Sequence, residues 1–501
     1  MRTLRAEWTK LRTVRGWVVA LLAAAAAIIG LGVLPGMQGT CDATCRLPVG
    51  PDGTEVTDVL YFVHKPLTGD GSLTVRLDAL TGILPSAPDQ QPDPTGGGPQ
   101  HADGDGGRPG LVPWAKTGIL IKDGTRSGSS YAALMLTGTH GVRMQYDFTN
   151  DIAGPAGGGP RWLRLTRAGG TVTGEVSADG TTWTKVAGVT PSNLPATAEI
   201  GVFATSPQYT EAVAGALGLH GASGGPTSAT GAYEQVTLTG TSASGWRGDQ
   251  IGGGGDRAGT STQDGDRITV TGSGDIAPAV AGPAGLGVTI TQTLAGTFAG
   301  LILVVVVATM FVTAEYRRGI MRTTMSAQPR RGRILAAKAV VIGGVVFAVG
   351  LVAAATVVTL GQRMLESSGV YVHSASLAVR LQVIVGTAAV LAVAAVLALG
   401  LGAVIRRSAA AVTTAIVAIV LPYLLAMTVL PDTAAQWMLR ITPAAALAVQ
   451  QSTPEYAQVS NLYTPVGGYF PLSPLGGFLV LCGWTALVLA IAGVLLRRRD
   501  A

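Results

Sequence analysis

Six apolar runs, each about as long as a bilayer is thick, constrain this chain more than any other feature. A helix needs about 20 mostly apolar residues to cross a membrane. The runs lie at about residues 16–34, 286–313, 336–360, 380–405, 409–430 and 475–496. Only 13% of the 501 residues are charged, against roughly 25% in an average soluble domain. The sequence therefore predicts a membrane protein and excludes a single soluble fold.

Basic residues stand at alternate ends of these runs. Lys and Arg near a membrane-spanning helix favour the cytosolic side, and six crossings place every basic cluster there, whereas an odd number would leave one outside. We therefore expect a multi-pass plasma-membrane protein with both termini cytoplasmic and residues 35–284 extracellular. The clusters are Arg2, Arg5, Lys10, Arg12 and Arg15; Arg317, Arg318, Arg322, Arg330, Arg331 and Arg333; Arg406 and Arg407; and Arg497, Arg498 and Arg499.

Residues 1–34 have two interpretations. A basic start followed by an apolar run is also typical of a cleaved signal peptide. The run is long for that role, however, and no A-x-A cleavage site follows Gly36. We therefore expect a cytosolic amphipathic segment, with Leu4, Trp8 and Leu11 on one face in the headgroup region, leading into the first crossing.

The insert at residues 35–284 differs in character from the rest of the chain. It holds 15 basic and 23 acidic residues, so the overall charge of +6 describes no single surface. Many short alternating runs predict strands, and Asp179-Gly180 is a hairpin signal. The insert is therefore expected to be an all-β sandwich, with Gly/Pro-rich loops at 85–110 and 240–283. RITVTG, within the second loop, fits a last hairpin or a linker. The predicted strands are 73–77, 117–122, 131–137, 142–148, 161–167, 171–177, 182–187, 199–204 and 234–239.

The order of the strand sequences carries a first resemblance. YFVHKPLTGDGSLTVRL, PWAKTGILIKDGT, YAALMLT, RWLRLTR and SADGTTWTKV follow one another over about residues 58–240. This region resembles the concanavalin-like, laminin-G-like jelly-roll domains found at the ends of secreted glycosidases, which often bind carbohydrate. Trp114, Trp162 and Trp183 are the possible glycan contacts, although aromatic side chains more often fill a sandwich core.

The cysteines agree with an oxidising environment outside the cell. Cys41 and Cys45 follow the first crossing at a C-x3-C spacing, which favours a local disulfide bond. A metal site would need more ligands, and the closest histidine is His64. We therefore expect no metal; free thiols remain the alternative to the disulfide. Cys482 lies in the sixth run as a small apolar residue.

The two ends of the chain carry a second resemblance. RAEWTKLRTVR, EYRRGIMRTT, RRSAAAVTTAIVAIVLPYLL and LLRRRD together resemble the permease subunit of six-helix ABC-type exporters, which are common in actinobacteria. The fold this implies is an all-α six-helix membrane bundle, residues 1–34 and 285–501, with the jelly roll inserted. The large outer loop departs from the simplest members, which have a short one.

The resemblance also implies a mechanism and partners. The segment after the second crossing would be a coupling helix that docks on a separate cytosolic ATPase subunit. A second permease subunit, identical in the expected homodimer, would complete the transporter within the lipid bilayer. The alternative role for the arginines here is to hold the topology alone. The expected coupling residues are Glu315, Tyr316, Arg317, Arg318, Gly319, Arg322, Thr323 and Thr324.

Catalytic motifs are absent or weak. No glycine precedes any of the six lysines, so the chain has no G-K-[ST] phosphate loop, and no histidine precedes glutamate as in H-E-x-x-H. Gly221–Gly225 fits G-x-S-x-G but lies in a Gly/Ser loop without the strand-turn-helix context. We expect a non-catalytic subunit without a cofactor of its own, with ATP on the partner and no nucleic acid bound.

Two other functions fit the same pattern. The chain could be a membrane-anchored carbohydrate-binding or adhesion protein, or a sensor that uses the sandwich to detect a ligand. An anchor, however, needs fewer than six crossings. Two further features are expected in the membrane part: a kink where Pro422 interrupts the fifth run, and an interfacial or re-entrant helix within residues 432–452.

Overall fold

A computed structural model describes residues 2–33, 46–85, 107–155, 161–214, 220–241, 245–253, 258–282, 287–317, 331–428 and 430–498. Within these ranges the chain forms a β-sandwich and a set of long apolar helices. The helices are α1 (Arg2–Thr13), α2 (Arg15–Val33), α3 (Thr297–Arg317), α4 (Arg331–Ser367), α5 (Leu377–Ile405), α6 (Ser408–Ile419), α7 (Leu421–Thr428), α8 (Asp432–Ile441) and α9 (Pro474–Arg498). Three short 3-10 segments lie at Ile290–Leu294, Pro443–Gln450 and Pro465–Gly467.

Five of the described helices are long and apolar enough to cross a membrane, and α6 and α7 together make a sixth candidate. They are α2, α3 with its preceding 3-10 segment, α4, α5 and α9, and they lie on the runs found in the sequence. α5 is central: it packs against α3, α4 and α9. Small residues allow close approach, since a Cβ on Gly477 of α9 would lie 2.1 Å from the carbonyl oxygen of Ala445.

The fifth apolar run is bent rather than straight. α6 and α7 meet at Val420 with an angle of 42°. Pro422 stands one residue inside α7; because proline lacks an N–H and crowds the carbonyl four residues earlier, the helix breaks just before it. The kink expected from the sequence therefore lies at the α6–α7 junction.

Residues 432–452 do not form a continuous helix. α8 ends at Ile441, and Pro443–Gln450 continues as a fully buried 3-10 segment against α5 and α9. Trp437 and Ile441 on α8 remain more than half exposed. Arg440 lies over the Trp437 ring, 5.7 Å from its centre. The segment thus consists of an amphipathic helix at the surface followed by a buried 3-10 segment.

The insert is a 14-stranded antiparallel sheet folded into a nearly closed sandwich, with two separate two-stranded ribbons. The main path runs β10-β9-β8-β2-β11-β4-β5-β6-β7. The strands are β1 (Val56–Asp58), β2 (Leu60–Leu84), β3 (Arg108–Pro109), β4 (Lys116–Lys122), β5 (Tyr131–Thr137), β6 (Val142–Tyr146), β7 (Asn150–Ala153), β8 (Arg161–Ala168), β9 (Thr171–Ser177), β10 (Thr184–Val189), β11 (Thr197–Thr205), β12 (Tyr209–Ala214), β13 (His220–Gly225), β14 (Ser228–Thr241), β15 (Arg247–Ile251), β16 (Thr260–Asp264), β17 (Arg267–Gly272) and β18 (Ile276–Pro278).

β2 is the central strand of the sandwich. Its first half pairs with β11 and β15, and its second half pairs with β8 and β14. Alternate residues of the paired strands, such as Leu163 and Leu165 of β8, enter the core while their neighbours face outward. RITVTG forms β17, which pairs with β14 and β16. This segment is therefore a hairpin strand of the sheet and not a linker.

A short ribbon connects the sandwich to the helices. β1 pairs with β18, so the chain segments that enter and leave the sandwich run side by side. The ribbon covers the outer face of β4, which is why β4 is buried on both faces. We call β1, β18 and residues 46–55 and 279–282 the stalk.

Candidate functional site: a buried ion cluster at one end of the helices

A cluster of four charged side chains joins α1, α3 and α4. Lys338 of α4 has no exposed surface, and its Nζ donates hydrogen bonds of 2.7 Å to Glu7 Oε2 and 2.7 Å to Glu315 Oε1. Lys10 Nζ donates to the same two carboxylates, at 2.8 Å to Glu7 Oε1 and 3.0 Å to Glu315 Oε1. Two positive and two negative groups thus form one closed network, which we call the ion cluster.

The local sequence explains why the cluster forms. Glu7 and Lys10 are three residues apart on α1 and so lie on one face of the helix. Leu11 is buried beside Glu7, whereas Leu4 and Trp8 of the same helix stay exposed. The apolar face that the sequence predicts for α1 is therefore split, and the acidic residue, not Trp8, enters the protein.

Aromatic and carboxylate groups of α3 complete the environment of Lys338. Phe311 and Glu315 are one helical turn apart, and the Lys338 ammonium lies 4.7 Å from the centre of the Phe311 ring. Trp17 of α2 contacts the same ring edge-on, at 5.0 Å between centres. Because Lys338, Glu7 and Glu315 are buried in apolar surroundings, these three charges rely on their partners and not on water.

The pKa of Lys10 reports the balance of forces in the ion cluster. Partial burial acts to lower the pKa of Lys10, but hydrogen bonds to Glu7 and Glu315 outweigh it and hold the pKa above its ordinary value. Lys10 is therefore positively charged at neutral pH. The cluster is a structural tie between helices, since both lysine ammonium groups bond to the same two carboxylates.

A second contact brings the end of α5 to the same place. The Arg406 guanidinium lies 5.1 Å from the centre of the Tyr316 ring, and Arg406 adopts a left-handed conformation at the end of α5. Ser408 Oγ donates a hydrogen bond of 2.9 Å to Thr313 Oγ1 on α3. The end of α3, the start of α4 and the α5–α6 junction therefore lie together at one end of the helices.

The structure describes only part of the predicted coupling segment. Glu315, Tyr316 and Arg317 form the last turn of α3, and Glu315 and Tyr316 make the contacts above. Arg318, Gly319, Arg322, Thr323 and Thr324 lie outside the described residues. The sequence pattern did not identify Glu7 and Lys338 as partners of Glu315. Both residues stand out in the sequence, since Glu7 is the only acidic residue in a basic stretch and Lys338 is the only charged residue in an apolar one.

The sandwich meets the opposite ends of the helices through the stalk. Glu55 accepts hydrogen bonds from His373 Nδ1 at 3.0 Å and from the Ser374 backbone N–H at 3.0 Å, in the loop between α4 and α5. Burial acts to raise the pKa of Glu55, but the bonds from His373, Ser374 and Tyr371 outweigh it and lower the pKa to about 2. A charged Glu55 thus holds the stalk on the helices.

The loop before α9 contacts the same side of the sandwich. Gln458 Nε2 donates to the Thr149 carbonyl oxygen at 3.2 Å, and Asn461 Nδ2 donates to that of Ala281 at 3.0 Å. A small apolar cluster of Ala277, Val280 and Val459 lies beside them. The ion cluster and the sandwich are therefore at opposite ends of the helices.

The remaining predicted site residues are scattered over the sandwich. Trp114 is 5% exposed and stacks on His140 at 4.0 Å, so little of its ring could reach a sugar. Trp162 and Trp183 are half-buried on the outer face, and Arg164 stacks on Trp183 at 4.0 Å. Cys41 and Cys45 lie outside the described residues.

Two other candidate chemistries find no assembled site in the described part of the chain. Ser223, of the G-x-S-x-G match, lies within strand β13, whose partner is β12, and not at a turn between a strand and a helix. No group of three or more His, Cys, Asp or Glu side chains is placed to hold a metal ion there.

Comparisons with known proteins add little. No protein-family model matches the sequence, and no curated protein matches it. A functionally unknown protein from Saccharomyces cerevisiae is 14% identical over 40% of this chain and 85% of its own, with a TM-score of 0.21. The GH43 protein BlXynB from Bacillus licheniformis is 16% identical over 27% of this chain and 24% of its own, with a TM-score of 0.18. The Eqolisin-family peptidase SCP-B, in complex with a tripeptide, is 10% identical over 43% of this chain and 98% of its own, with a TM-score of 0.24. Scores this low bear on neither fold nor function.

Proposed function

We propose that this chain is the membrane permease subunit of an ABC-type exporter, driven by ATP hydrolysis on a separate cytosolic subunit. The observation that carries the proposal is the ion cluster. It joins the N-terminal helix to α3 and α4, the two helices that flank the predicted coupling segment. A force applied to that segment would reach all three helices together.

The burial of the ion cluster supports a mechanical role. Lys338 and Glu7 are almost fully enclosed, and such pairs resist separation because an unpaired buried charge is strongly unfavourable. α1 would therefore move as one body with the ends of α3 and α4. Rigid-body movement of packed helices is a common route for transmitting a signal across a protein.

The proposed topology has six crossings, with α6 and α7 together as the fifth. The ion cluster and both termini would be cytoplasmic, and the jelly-roll sandwich would be extracellular. Two features support this arrangement: basic residues cluster at the ion-cluster end, and the sandwich contacts the opposite helix ends through Glu55 and Asn461.

The proposed assembly contains two permease subunits, identical in the simplest case, and two ATPase subunits in the plasma membrane. Lipid-facing residues support insertion in a bilayer, since Val352, Leu381 and Leu479 are more than half exposed on three different helices. The chain itself would perform no catalysis and bind no cofactor, with ATP held by its partner.

The test is purification of the tagged full chain from its native membranes in mild detergent. We expect a P-loop ATPase in a fixed ratio to the chain, with an ATP hydrolysis rate that changes when Lys338 is replaced by Met. The matched control is Lys185→Met, at an exposed site on β10, which leaves hydrolysis unchanged. A chain that carries no ATPase but binds glycans would contradict the proposal and favour the adhesin.

A further inference from the structure

The last residue of β4 is a lysine enclosed within the protein. Lys122 is 1% exposed, and its Nζ donates hydrogen bonds to Asp58 Oδ2 at 2.7 Å and to the Ser129 carbonyl oxygen at 3.0 Å. The Asp58 side chain is also fully buried. Asp58 is the last residue of stalk strand β1, so this pair joins the sandwich to the stalk.

The environment of the pair disfavours charge. The Lys122 ammonium lies 5.7 Å from the centre of the Tyr131 ring and 5.5 Å from that of Phe148, and both rings are completely buried. Burial lowers the pKa of Lys122, although the negative charge of Asp58 opposes this. One proton moving along the existing hydrogen bond converts the ion pair into a neutral amine beside a neutral carboxylic acid.

The two oxygens of Asp58 are not equivalent. Oδ2 accepts hydrogen bonds from Lys122 and from the Gly128 backbone N–H, the latter at 2.8 Å. Oδ1 is buried and has no hydrogen-bond partner among the described residues. An unpartnered buried oxygen is unfavourable, and loss of that oxygen would remove the penalty.

We propose that Lys122 and Asp58 join in an intramolecular amide bond, a self-formed cross-link between β4 and the stalk. The Nζ lone pair attacks Asp58 Cγ, the Cγ–Nζ bond forms and the Cγ–Oδ1 bond breaks. Oδ1 leaves as water with the proton of the acid and one proton from the nitrogen. Oδ2 remains as the amide oxygen, held by Gly128. No oxidant or other reactant is needed.

Tyr131 lies beside the pair, with the Lys122 ammonium 5.7 Å from the centre of its ring. Its hydroxyl is buried and has no hydrogen-bond partner in the part of the chain that the structure describes. Burial raises the pKa of Tyr131, and the nearby charge of Asp58 raises it further. The hydroxyl therefore stays neutral, and the acid proton reaches Oδ1 within the tetrahedral adduct, in which Oδ1, Oδ2 and Nζ are all bonded to Cγ.

The other end of β4 provides an internal comparison. Lys116 Nζ donates to Asp275 Oδ1 at 2.6 Å and to the Ile276 carbonyl oxygen at 2.8 Å. The Asp275 side chain is 10% exposed, and Oδ1 also accepts from the Ile276 N–H. Because Asp275 Oδ1 is held by two donors and the side chain keeps some exposed surface, we expect no amide bond at this pair.

The test is peptide mapping and intact-mass measurement of the full chain purified in detergent. Trypsin cuts after Lys116 and Arg126 but not after an acylated lysine, and Pro66 protects Lys65. We expect residues 47–76 covalently linked to residues 117–126, with a mass one water below the sum of the two peptides.

The variants separate the two lysines. Lys122→Arg abolishes the linked peptide, and Lys116→Arg retains it. Recovery of 47–76 at its free mass, together with a normal cut after Lys122 in the wild-type chain, would overturn the proposal and leave a buried ion pair. That result needs no variant to fold, and neither outcome depends on transport or on an ATPase.

Discussion

Replacement of Lys338 by Met removes the most deeply buried charge of the ion cluster while keeping a side chain of similar length. Lys338 makes two hydrogen bonds of 2.7 Å, one to Glu7 and one to Glu315, and has no exposed surface. In the variant the two carboxylates share only Lys10, so a net negative charge stays buried between α1, α3 and α4.

The size of the effect follows from that residual charge. Removal of one partner from a buried pair costs about 3–5 kcal/mol. Lys10 still bonds to both carboxylates, but its side chain is 33% exposed and so compensates in part. We therefore expect the lower limit, about 3 kcal/mol, which corresponds to roughly a hundredfold change in an equilibrium constant.

Hydrogen exchange measured by mass spectrometry reports this loss of stability directly. The free energy for opening α1 should fall, and its backbone amides should exchange roughly a hundredfold faster in the variant. Lys185→Met serves as the control at an exposed position and should leave α1 unchanged. Exchange of α1 within about threefold of the wild type would show that the ion cluster does not hold α1 and would refute the reasoning.

Two further predictions concern the stalk and the helix packing. Glu55→Gln removes a carboxylate with a pKa of about 2; because that lowered pKa stabilises the fold above about pH 4.5 and the gain is lost toward pH 2, the thermal midpoint of the wild type should fall more on acidification than that of the variant. Equal falls would contradict the role of Glu55. Gly477→Ala places a Cβ 2.1 Å from the Ala445 carbonyl oxygen, so we expect a loss of about 1–3 kcal/mol in thermal unfolding. Gly483→Ala has open space and should be neutral; similar losses in both would refute the packing argument.

The long helices were predictable because their signal is local. A bilayer-length apolar run specifies a helix without knowledge of its neighbours, and each run lies on a helix or on the bent α6–α7 pair. Pro422 likewise marked the bend from sequence alone. The buried 3-10 return at Pro443–Gln450 was harder to specify, since its backbone depends on packing against α5 and α9.

Each of the nine expected strands lies on a strand of the structure, but β1, β12, β13 and β15 were not expected, and neither was the pairing of the strands. Alternation located β8 and β9, but β2 extends over 25 residues and contributes to both halves of the sandwich, which no local pattern revealed. The stalk was missed for the same reason, because the pairing of Val56 with Pro278 joins residues more than 200 positions apart.

The sequence identified Glu315 as a site residue but did not identify the side chains that contact it in the ion cluster. The basic stretch around Arg317 drew attention to Glu315, but nothing in the sequence paired Glu315 with Lys338. A closed network of Glu7, Lys10, Glu315 and Lys338 depends on how three helices pack. Only the isolation of Glu7 and of Lys338 in their stretches of sequence could have pointed to this network.

The proposed topology places the ion cluster on the cytosolic side of a membrane and the sandwich on the other side. Thiol labelling in sealed, right-side-out vesicles tests it most directly, with single cysteines at the exposed positions Arg12 and Ser374 in a background without Cys41, Cys45 and Cys482. An impermeant maleimide should label position 374 at once and position 12 only after the vesicles are opened. Labelling of both positions from outside, or of position 12 alone, would contradict the account.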